Sequence, residues 1–257
     1  MEASPEYVAM LDMLPDDLKA AHRYGDWDAL SGQFFSEFRV DKHIVPKEKI
    51  PDSWPRYRVF DYGLDMFACY WAAVDFEGRI HVYREYCESG LIVTQAASAM
   101  NDLTPPGEKI EFTIAPPDMW STQKDTGKTM AEIFAQSGIG LVKASNQRVQ
   151  GWMAVKEALR IRDDGTPGLV FNKSCVHIIS DIQSVQHDDK NPSDVAKEPH
   201  DITHSPDAIR YLCVTRSMNA KMLKQSMEQD EEDDDEVEQS YDRAMCGGEI
   251  TSGYLSA

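Results

Sequence analysis

The chain has 257 residues, 42% of them hydrophobic, and a formal net charge of −18. This apolar content suffices for one sizeable core, while the acidic balance excludes a protein that binds nucleic acid through an overall basic surface. The sequence has no apolar run of the ~18 residues that a membrane helix needs, no secretory signal and no CxxC pair, which indicates a reducing, intracellular setting.

The first part of the chain, residues 1–50, begins with a helical pattern. Apolar residues recur there at spacings of three and four from Val8 to Leu18. Short extended pieces that end at prolines follow. We expect a helix and then irregular chain before the main domain.

Residues 51–103 change to the period of strands. YRVFDYG predicts a short strand with Tyr57, Val59 and Asp61 on one face. FACYWAAVDFEGRIHVYREY predicts a hairpin around a turn at Asp75–Gly78. LIVTQAASAMNDL predicts a helix, which the following PPG ends.

Residues 108–220 alternate between strand and helix patterns. The predicted strands are KIEFTIA, GLVKASN and LVFN, and the predicted helices are TMAEIFAQSGI, RVQGWMAVKEALRI, SCVHIISDIQSV and SPDAIRYLCVTRSM. A meander followed by this alternation predicts an α/β fold, with a mixed sheet flanked by helices.

Two polar stretches interrupt or follow this pattern. QHDDKNPSDVAKEPHD precedes the last helix, and loops of that length are usually functional or disordered. Residues 221–257 form a tail, in which the segment 228–257 holds eleven acids and one base. Such a composition predicts disorder, because too little apolar surface is available to order it.

The run DTGKTMAEIF contains GKT but does not match a phosphate-binding loop. That motif needs a glycine five residues before Gly127, where this chain has Thr122, and a strand that leads directly into the loop. We interpret Gly127–Thr129 as the turn before a helix.

Two carboxylates follow predicted strands. Asp61 ends an apolar and aromatic strand, where an unpaired carboxylate is costly unless an arginine or a metal ion compensates it. Asp118 follows another strand and two prolines, where it could equally cap a turn. Each residue alone therefore leaves a structural and a functional interpretation open.

The segment EPHDITHSPDAIRYL places two histidines and two aspartates at the start of the last helix. Ser205 as N-cap explains an acid in the first turn at Asp207. It does not explain His200, Asp201 or His204, although we interpret His200 as a solvated loop residue. If the helix reaches back to His204, then His204 and Asp207 lie one turn apart on one face.

The three acids Asp61, Asp118 and Asp207 share a predicted location. Functional side chains of open sheets gather at strand ends and neighbouring helix starts. Three convergent carboxylates can hold two Mg²⁺ or Mn²⁺ ions about 3.5–4 Å apart, which activate water and stabilise the leaving oxygen of a phosphodiester. The sequence therefore predicts a metal-dependent phosphodiester hydrolase.

The order of these motifs resembles the nuclease domain of tailed-phage terminase large subunits. FDYG, PPDMW, DKNPSD and HSPDAIRYL occur in that family's order and spacing. The resemblance spans roughly residues 20–215. No single motif is specific, but the ordered set is.

The resemblance implies an RNase H-like fold with about five strands, an antiparallel meander plus parallel strands. It implies an endonuclease that cuts concatemeric double-stranded DNA during genome packaging and uses Mg²⁺ or Mn²⁺. Its catalytic, metal-binding acids match Asp61, Asp118 and Asp207, and its histidine matches His204. Further metal-ligand candidates are Asp65 and Asp201.

The resemblance also divides the chain. Residues 1–50 correspond to a linker and the end of a packaging ATPase, 51–220 to the nuclease domain and 221–257 to an acidic tail. No ATPase motif is present, so we expect an excised domain or the product of a split gene. The implied partners are double-stranded DNA, portal protein and the small terminase subunit, in the host cytoplasm and away from membranes.

Basic residues that could contact phosphates are Lys124, Lys128, Lys143, Arg148 and Lys190. Each could equally be a solvated surface charge. Two other functions remain open. One is another RNase H-like nuclease, of the junction-resolvase or recombinase type. The other is a non-catalytic docking module for portal or small terminase, with the acidic tail as a protein contact.

Overall fold

The computed structural model describes residues 32–122 and 127–216. The chain divides into two units, Met1–Thr215 and Arg216–Ala257, and the fold below belongs to the first. The predicted N-terminal helix, Lys124 and the acidic tail lie outside the described residues. In the described part, no helix is long and apolar enough to cross a membrane.

The described residues form seven strands and six α-helices. The strands are β1 Ile44–Val45, β2 Arg56–Tyr62, β3 Phe67–Val74, β4 Ile80–Glu88, β5 Phe112–Ala115, β6 Leu141–Lys143 and β7 Leu169–Asn172. The helices are α1 Val40–His43, α2 Val93–Asp102, α3 Met130–Gln136, α4 Arg148–Leu159, α5 Val176–Ser184 and α6, described over 204–216. Two 3₁₀ helices span Pro117–Trp120 and Asp201–Thr203.

All seven strands join one sheet in the order β1-β7-β4-β3-β2-β5-β6. The meander β2-β3-β4 is antiparallel, whereas β5 and β6 continue from β2 in parallel, and β7 and β1 continue from β4 in parallel. The predicted mixed sheet flanked by helices is confirmed. It is wider than the five strands expected, because β7 and β1 extend it beyond the meander.

The central strand β3 separates two apolar layers. All eight of its residues are buried, which agrees with its continuous apolar sequence. On β2, Val59 packs into the core that includes α4, α5 and α6, whereas Phe60 packs into the core beneath α2 and α3. The alternation predicted for this strand is therefore confirmed, and it directs Asp61 toward the α6 side.

The segment just before β1 is part of the core. Phe34, Phe35 and Phe38 are buried, although the sequence-based division assigns them to the linker. Phe34 and Phe35 each pack edge-on against Trp152 with ring centroids 5.8 Å apart. Burying each such ring contributes about 1.5–3 kcal/mol, which explains why this stretch folds with the sheet.

The GKT run begins a helix, as predicted. Gly127 has a positive φ of 66° and Thr129 is the N-cap of α3. The Thr129 hydroxyl accepts from the Glu132 amide at 3.1 Å, and the Glu132 carboxylate accepts from the Thr129 amide at 2.8 Å. This capping box explains the motif without a nucleotide.

Candidate active site

Two neighbouring parallel strands carry Asp61 and Asp118 to one edge of the sheet. Val59 of β2 pairs with Ile114 of β5, so residue 116 lies level with Asp61. Asp118 follows in the 3₁₀ helix after Pro116 and is exposed, whereas the Asp61 side chain is only 14% exposed. Strand direction therefore explains why acids 57 residues apart share one edge.

The start of α6 faces the same edge. The helix begins at His204, so the predicted one-turn spacing of His204 and Asp207 is confirmed, and both residues are buried. The predicted N-cap role of Ser205 is wrong. Because Ser205 already lies within the helix, its hydroxyl instead donates to Oδ2 of Asp181 at 2.5 Å.

His204 bridges two carboxylates. Its Nδ1 lies 2.6 Å from Oδ2 of Asp61, and its Nε2 lies 3.2 Å from Oδ1 of Asp65. Asp65 is in turn 2.5 Å from Nδ1 of His200, whose ring packs edge-on against His204 at 4.7 Å. His200 is exposed, as expected for a loop residue, but it also belongs to this polar chain.

Gly63 allows His204 to approach the strand end. A Cβ at this position would lie 2.5 Å from Oδ1 of Asp65 and 2.6 Å from Cε1 of His204. Both distances are far below normal contact. The FDYG motif therefore needs glycine for space beside the imidazole, and its φ is not in the left-handed region.

Two arginines hold Asp207. Arg148 of α4 donates from Nη1 to both carboxylate oxygens, at 3.0 and 3.1 Å, and Arg210 donates from Nε to Oδ1 at 2.7 Å. Arg148 also donates from Nε to Asp194 at 2.7 Å. Asp194 accepts from the Trp152 indole at 2.6 Å, so the long polar loop is tied to the same site.

The electrostatics of the cluster follow from its burial and its like charges. Burial raises the pKa of Asp61, and the charges of Asp207 and Asp118 raise it further against the hydrogen bond from His204. Burial lowers the pKa of His204, but Asp61 and Asp65 outweigh this and raise it above its usual value. The charges of Asp207 and Asp118 therefore both act on Asp61 at this edge.

The oxygen donors of the three acids suit a hard divalent cation by their chemistry, although within the described residues the group at this site whose donor atoms lie within 4.8 Å of one another is Asp65, His200 and His204. Asp61, Asp118 and Asp207 offer carboxylate oxygens, which are the ligands that Mg²⁺ and Mn²⁺ prefer. Burial is the main cause of the raised pKa of Asp61, so a cation beside this carboxylate would favour its ionised form. In the described site, His204, Arg148 and Arg210 supply the positive charge next to these oxygens. A cation would compete with them for the same acids.

The other two predicted metal ligands, Asp65 and Asp201, differ in their contacts with the acidic cluster. Asp65 contacts His204 and His200, and its pKa falls to about 2 because their hydrogen bonds outweigh the effect of burial. Asp201 is exposed in the 3₁₀ helix before α6, and its charge acts on Asp181. Asp65 therefore borders the acidic cluster directly.

The predicted phosphate contacts are spread over several elements. Arg148 is occupied by Asp207 and Asp194. Lys143 is exposed at the end of β6, with its ammonium 5.7 Å from the Trp120 ring centroid, next to the 3₁₀ helix of Asp118. Lys128 and Lys190 are exposed.

Sequence reasoning missed three residues that shape the site. Asp194 lies in the quoted DKNPSD motif and Arg210 in HSPDAIRYL, yet neither was singled out. Their only sequence signal is an acid at the end of a polar loop motif and a base inside a helical pattern. Trp152 likewise reads as an ordinary core residue of α4, although its indole nitrogen fixes Asp194.

Asp181 gives the first testable prediction. Burial raises the pKa of this α5 carboxyl to about 7, despite the hydrogen bond from Ser205. Because the folded pKa exceeds the unfolded one, this group stabilises the fold at low pH, and that contribution is lost as pH rises toward 7. We expect Asp181→Asn to be more stable than wild type at pH 8 and to lose this advantage at pH 4.

The difference should amount to roughly 1.4 kcal/mol for each pKa unit that separates the two states. Urea unfolding of both proteins across this pH range measures it. Asp163→Asn, in an exposed loop, should leave the pH dependence of wild type unchanged. Parallel stability curves for Asp181→Asn and wild type would contradict the prediction.

Comparisons with known proteins show similarity at the level of structure. No protein-family model matches the sequence, and no curated protein matches it either. The large terminase of thermophilic bacteriophage D6E is similar with a TM-score of 0.59 and 20% identity, over 72% of this chain and 45% of that one. The P22 large terminase nuclease domain is similar with a TM-score of 0.58 and 18% identity, over 73% of this chain and 93% of that one.

The matched region therefore spans less than half of the D6E protein but nearly all of the P22 domain. At these identities the likeness concerns the fold. The fold of this chain is similar to that of a large-terminase nuclease domain, and the resemblance that its motifs indicate is confirmed at that level.

Proposed function

We propose that this chain is a metal-dependent DNA endonuclease of the terminase large-subunit kind, which cuts double-stranded DNA during genome packaging. The observation that carries the proposal is the electrostatic effect of Asp118 and Asp207 on the buried carboxylate of Asp61 at one edge of the sheet. Asp61 is the last residue but one of β2, Asp118 follows β5, and Asp207 lies in the first turn of α6. This effect on Asp61 supports a shared site.

Each residue has a distinct role in the proposal. Asp61, Asp118 and Asp207 would hold two Mg²⁺ or Mn²⁺ ions. Such ions, when bound, lower the pKa of water and neutralise charge on the phosphodiester. His204 orients Asp61 through its Nδ1, and Arg148 and Arg210 orient Asp207. Asp65 holds the His204 ring from its other side.

An acidic chain needs a source of positive charge to engage DNA. Cations at the acidic cluster would supply part of it. Among the basic candidates, Lys143 is the exposed side chain beside the 3₁₀ helix that carries Asp118, so we expect it to contact a DNA phosphate near the acidic cluster. Lys128, Lys190, Lys124 and Arg148 stay further candidates, and Arg148 would have to leave Asp207 to reach a phosphate. Portal protein and the small terminase subunit are the proposed protein partners.

The proposal is tested by incubating closed circular plasmid with the protein in Mn²⁺, Mg²⁺ or EDTA. Conversion to linear or fragmented DNA only with metal supports it. Strong preference for four-way junctions over linear duplex would favour a junction-resolvase type instead. Binding of portal or small terminase without cleavage in any metal would favour a docking module.

Gly63→Ala should reduce cleavage about 10²-fold, the size of effect expected when a catalytic group moves by about 1 Å. The new methyl would occupy the space of the His204 ring and Asp65, so the imidazole must shift. Initial rates of plasmid cleavage in Mn²⁺ measure the effect.

Gly140→Ala is the matched control, since a Cβ there meets nothing within 4 Å and its φ is not in the left-handed region. It should cleave at the wild-type rate. Equal rates for Gly63→Ala and Gly140→Ala would show that His204 does not need its observed position.

A further inference from the structure

A second group of metal-ligating side chains lies apart from the acidic cluster. Glu85 and Cys87 of β4 and His177 of α5 each point one donor atom into a common space, and these atoms all lie within 4.8 Å of one another. The group combines one oxygen, one sulfur and one nitrogen donor. No role in the proposed nuclease reaction uses any of the three.

Regular secondary structure assembles this group. Glu85 and Cys87 are two residues apart on β4, so they share one face of the sheet, where they pair with Tyr70 and Ala68 of β3. His177 lies in the first turn of α5, which packs on that face. Neither element needs a strained backbone to present these donors.

Glu85 is already held in the orientation of a ligand. Its side chain is only 7% exposed. Oε1 accepts from the His177 amide at 2.9 Å and lies 3.2 Å from His177 Nδ1, while Oε2 accepts from the Ile178 amide at 3.3 Å. The backbone hydrogen bonds fix the carboxylate independently of the imidazole, so the oxygen is in place before any cation binds.

The spacing of the donors suits a tetrahedral ion. Ligand atoms about 2.0–2.1 Å from zinc stand roughly 3.3–3.4 Å apart in a tetrahedron. The 3.2 Å between His177 Nδ1 and Glu85 Oε1 is close to that separation. The Cys87 sulfur lies within 4.8 Å of a donor atom of each of the other two residues, so it could serve as the third ligand.

The chemistry of the donors selects the metal. A thiolate with an imidazole and a carboxylate suits Zn²⁺ or Co²⁺, whereas Mg²⁺ prefers oxygen alone. Burial raises the pKa of the Cys87 thiol to about 12, so it holds its proton in the absence of a cation. The Tyr70 hydroxyl, 3.3 Å from the sulfur, is placed to donate to a thiolate once it forms.

We propose that Glu85, Cys87 and His177 form a zinc site that fastens the start of α5 to β4. Zinc binding releases the thiol proton to solvent and forms a Zn–S bond without any redox step. Asp61, Ala68 and Cys87 lie side by side on β2, β3 and β4. Two strand spacings, about 9–10 Å, therefore separate this site from Asp61.

The location gives the zinc site a structural consequence. Asp181 of α5 accepts from Ser205, the residue after His204. Fastening α5 would therefore also steady the first turn of α6, which presents His204 and Asp207. This consequence rests on the proposed nuclease function, whereas zinc binding itself does not.

Cobalt titration of the full chain, freed of metal by chelation, tests the site. Co²⁺ bound to a thiolate gives a charge-transfer absorption in the near ultraviolet, which Co²⁺ on carboxylates does not give. We expect this absorption to saturate at one equivalent, to disappear on adding Zn²⁺ and to be absent in Cys87→Ser. Cys69→Ala, on the opposite face of the sheet, and Cys246→Ser should both retain it.

His177→Gln provides a second variant that should not unfold, since the His177 side chain is 48% exposed. His177→Gln should weaken Co²⁺ binding at least 10-fold. At saturating Co²⁺ it should still give the near-ultraviolet absorption, because Cys87 remains a ligand. His81→Gln, which contacts Asp75 elsewhere, should bind like wild type. A wild-type protein without the absorption, or an absorption that survives Cys87→Ser, would overturn the zinc site while leaving the nuclease proposal intact.

Discussion

Asp61→Asn is expected to abolish metal-dependent plasmid cleavage while leaving the protein folded. The substitution keeps the shape of the side chain and can still accept a hydrogen bond from His204, but it removes the negative charge at the centre of the acidic cluster. Removing a central group from other catalytic sites costs about 10⁴-fold or more, and we expect a loss of that order here. Cleavage rates in Mn²⁺ and Mg²⁺ measure it.

The stability of the same variant distinguishes chemistry from folding. Burial and the charges of Asp207 and Asp118 work against an ionised Asp61. Asp61→Asn should therefore be at least as stable as wild type at pH 8. Asp163→Asn, in an exposed loop, should match wild type in both cleavage and stability. Cleavage that survives Asp61→Asn would mean that the catalytic acids lie elsewhere.

Arg210→Ala is expected to lower the free energy of unfolding by about 3–5 kcal/mol, the usual cost of breaking a buried ion pair. The Arg210 side chain is 1% exposed and bonds Asp207 through Nε and Nη2, both at 2.7 Å from Oδ1. Its guanidinium also lies 5.1 Å from the Trp152 ring centroid and 4.3 Å from that of Tyr211. Urea unfolding at pH 7 measures the loss.

A surface ion pair provides the control for Arg210. Arg160 bonds Glu157 at 2.7 Å, but its side chain is 62% exposed. Arg160→Ala should change stability by no more than about 0.5 kcal/mol, because solvent screens exposed pairs. Equal losses of stability in Arg210→Ala and Arg160→Ala would mean that the buried negative charge of Asp207 does not depend on Arg210.

Gly151 shows that the helix opposite is shaped around this arginine. A Cβ on Gly151 of α4 would lie 2.5 Å from Cγ and 2.8 Å from Cδ of Arg210. Glycine inside a helix usually destabilises it by about 0.5–1 kcal/mol relative to alanine. Here the missing side chain makes room for the arginine stem, so the local loss is offset by the buried ion pair.

The sequence predicted most strands and helices of the sheet, because the spacing of apolar residues along the chain reflects which face of each strand or helix is buried. The alternation predicted for β2 appears in the structure as side chains that point in turn to the two faces of the sheet. The continuous apolar run of β3 appears as a strand that is buried on both faces. The position of β7 beside β4 and of β1 beside β7 depends on long-range pairing. Two-residue β1 has no periodicity of its own, so the sequence alone could not place it at the sheet edge.

Residues of the candidate site could be predicted from the sequence where the local pattern around them is unusual. Asp61 and Asp118 stand out because each is an acid at or just after the end of an apolar strand pattern. Arg210 does not, because a base within a helix normally reads as a surface charge. Its burial depends on Gly151 and Trp152, about 60 residues earlier in the chain, and no local pattern links those positions.

The aromatic packing around Trp152 has a mechanical consequence. Phe34 and Phe35, in the segment before α1, pack edge-on against the Trp152 ring, and Lys156 of the same helix as Trp152 donates to the Phe34 carbonyl at 2.5 Å. The same Trp152 side chain donates to Asp194 and has the Arg210 guanidinium 5.1 Å from its ring centroid. Tension applied to the backbone at Phe34 would be transmitted to the Trp152 ring, which contacts Arg210, a partner of Asp207. The Phe34–Phe35 segment thus links the chain before β1 mechanically to the acidic cluster.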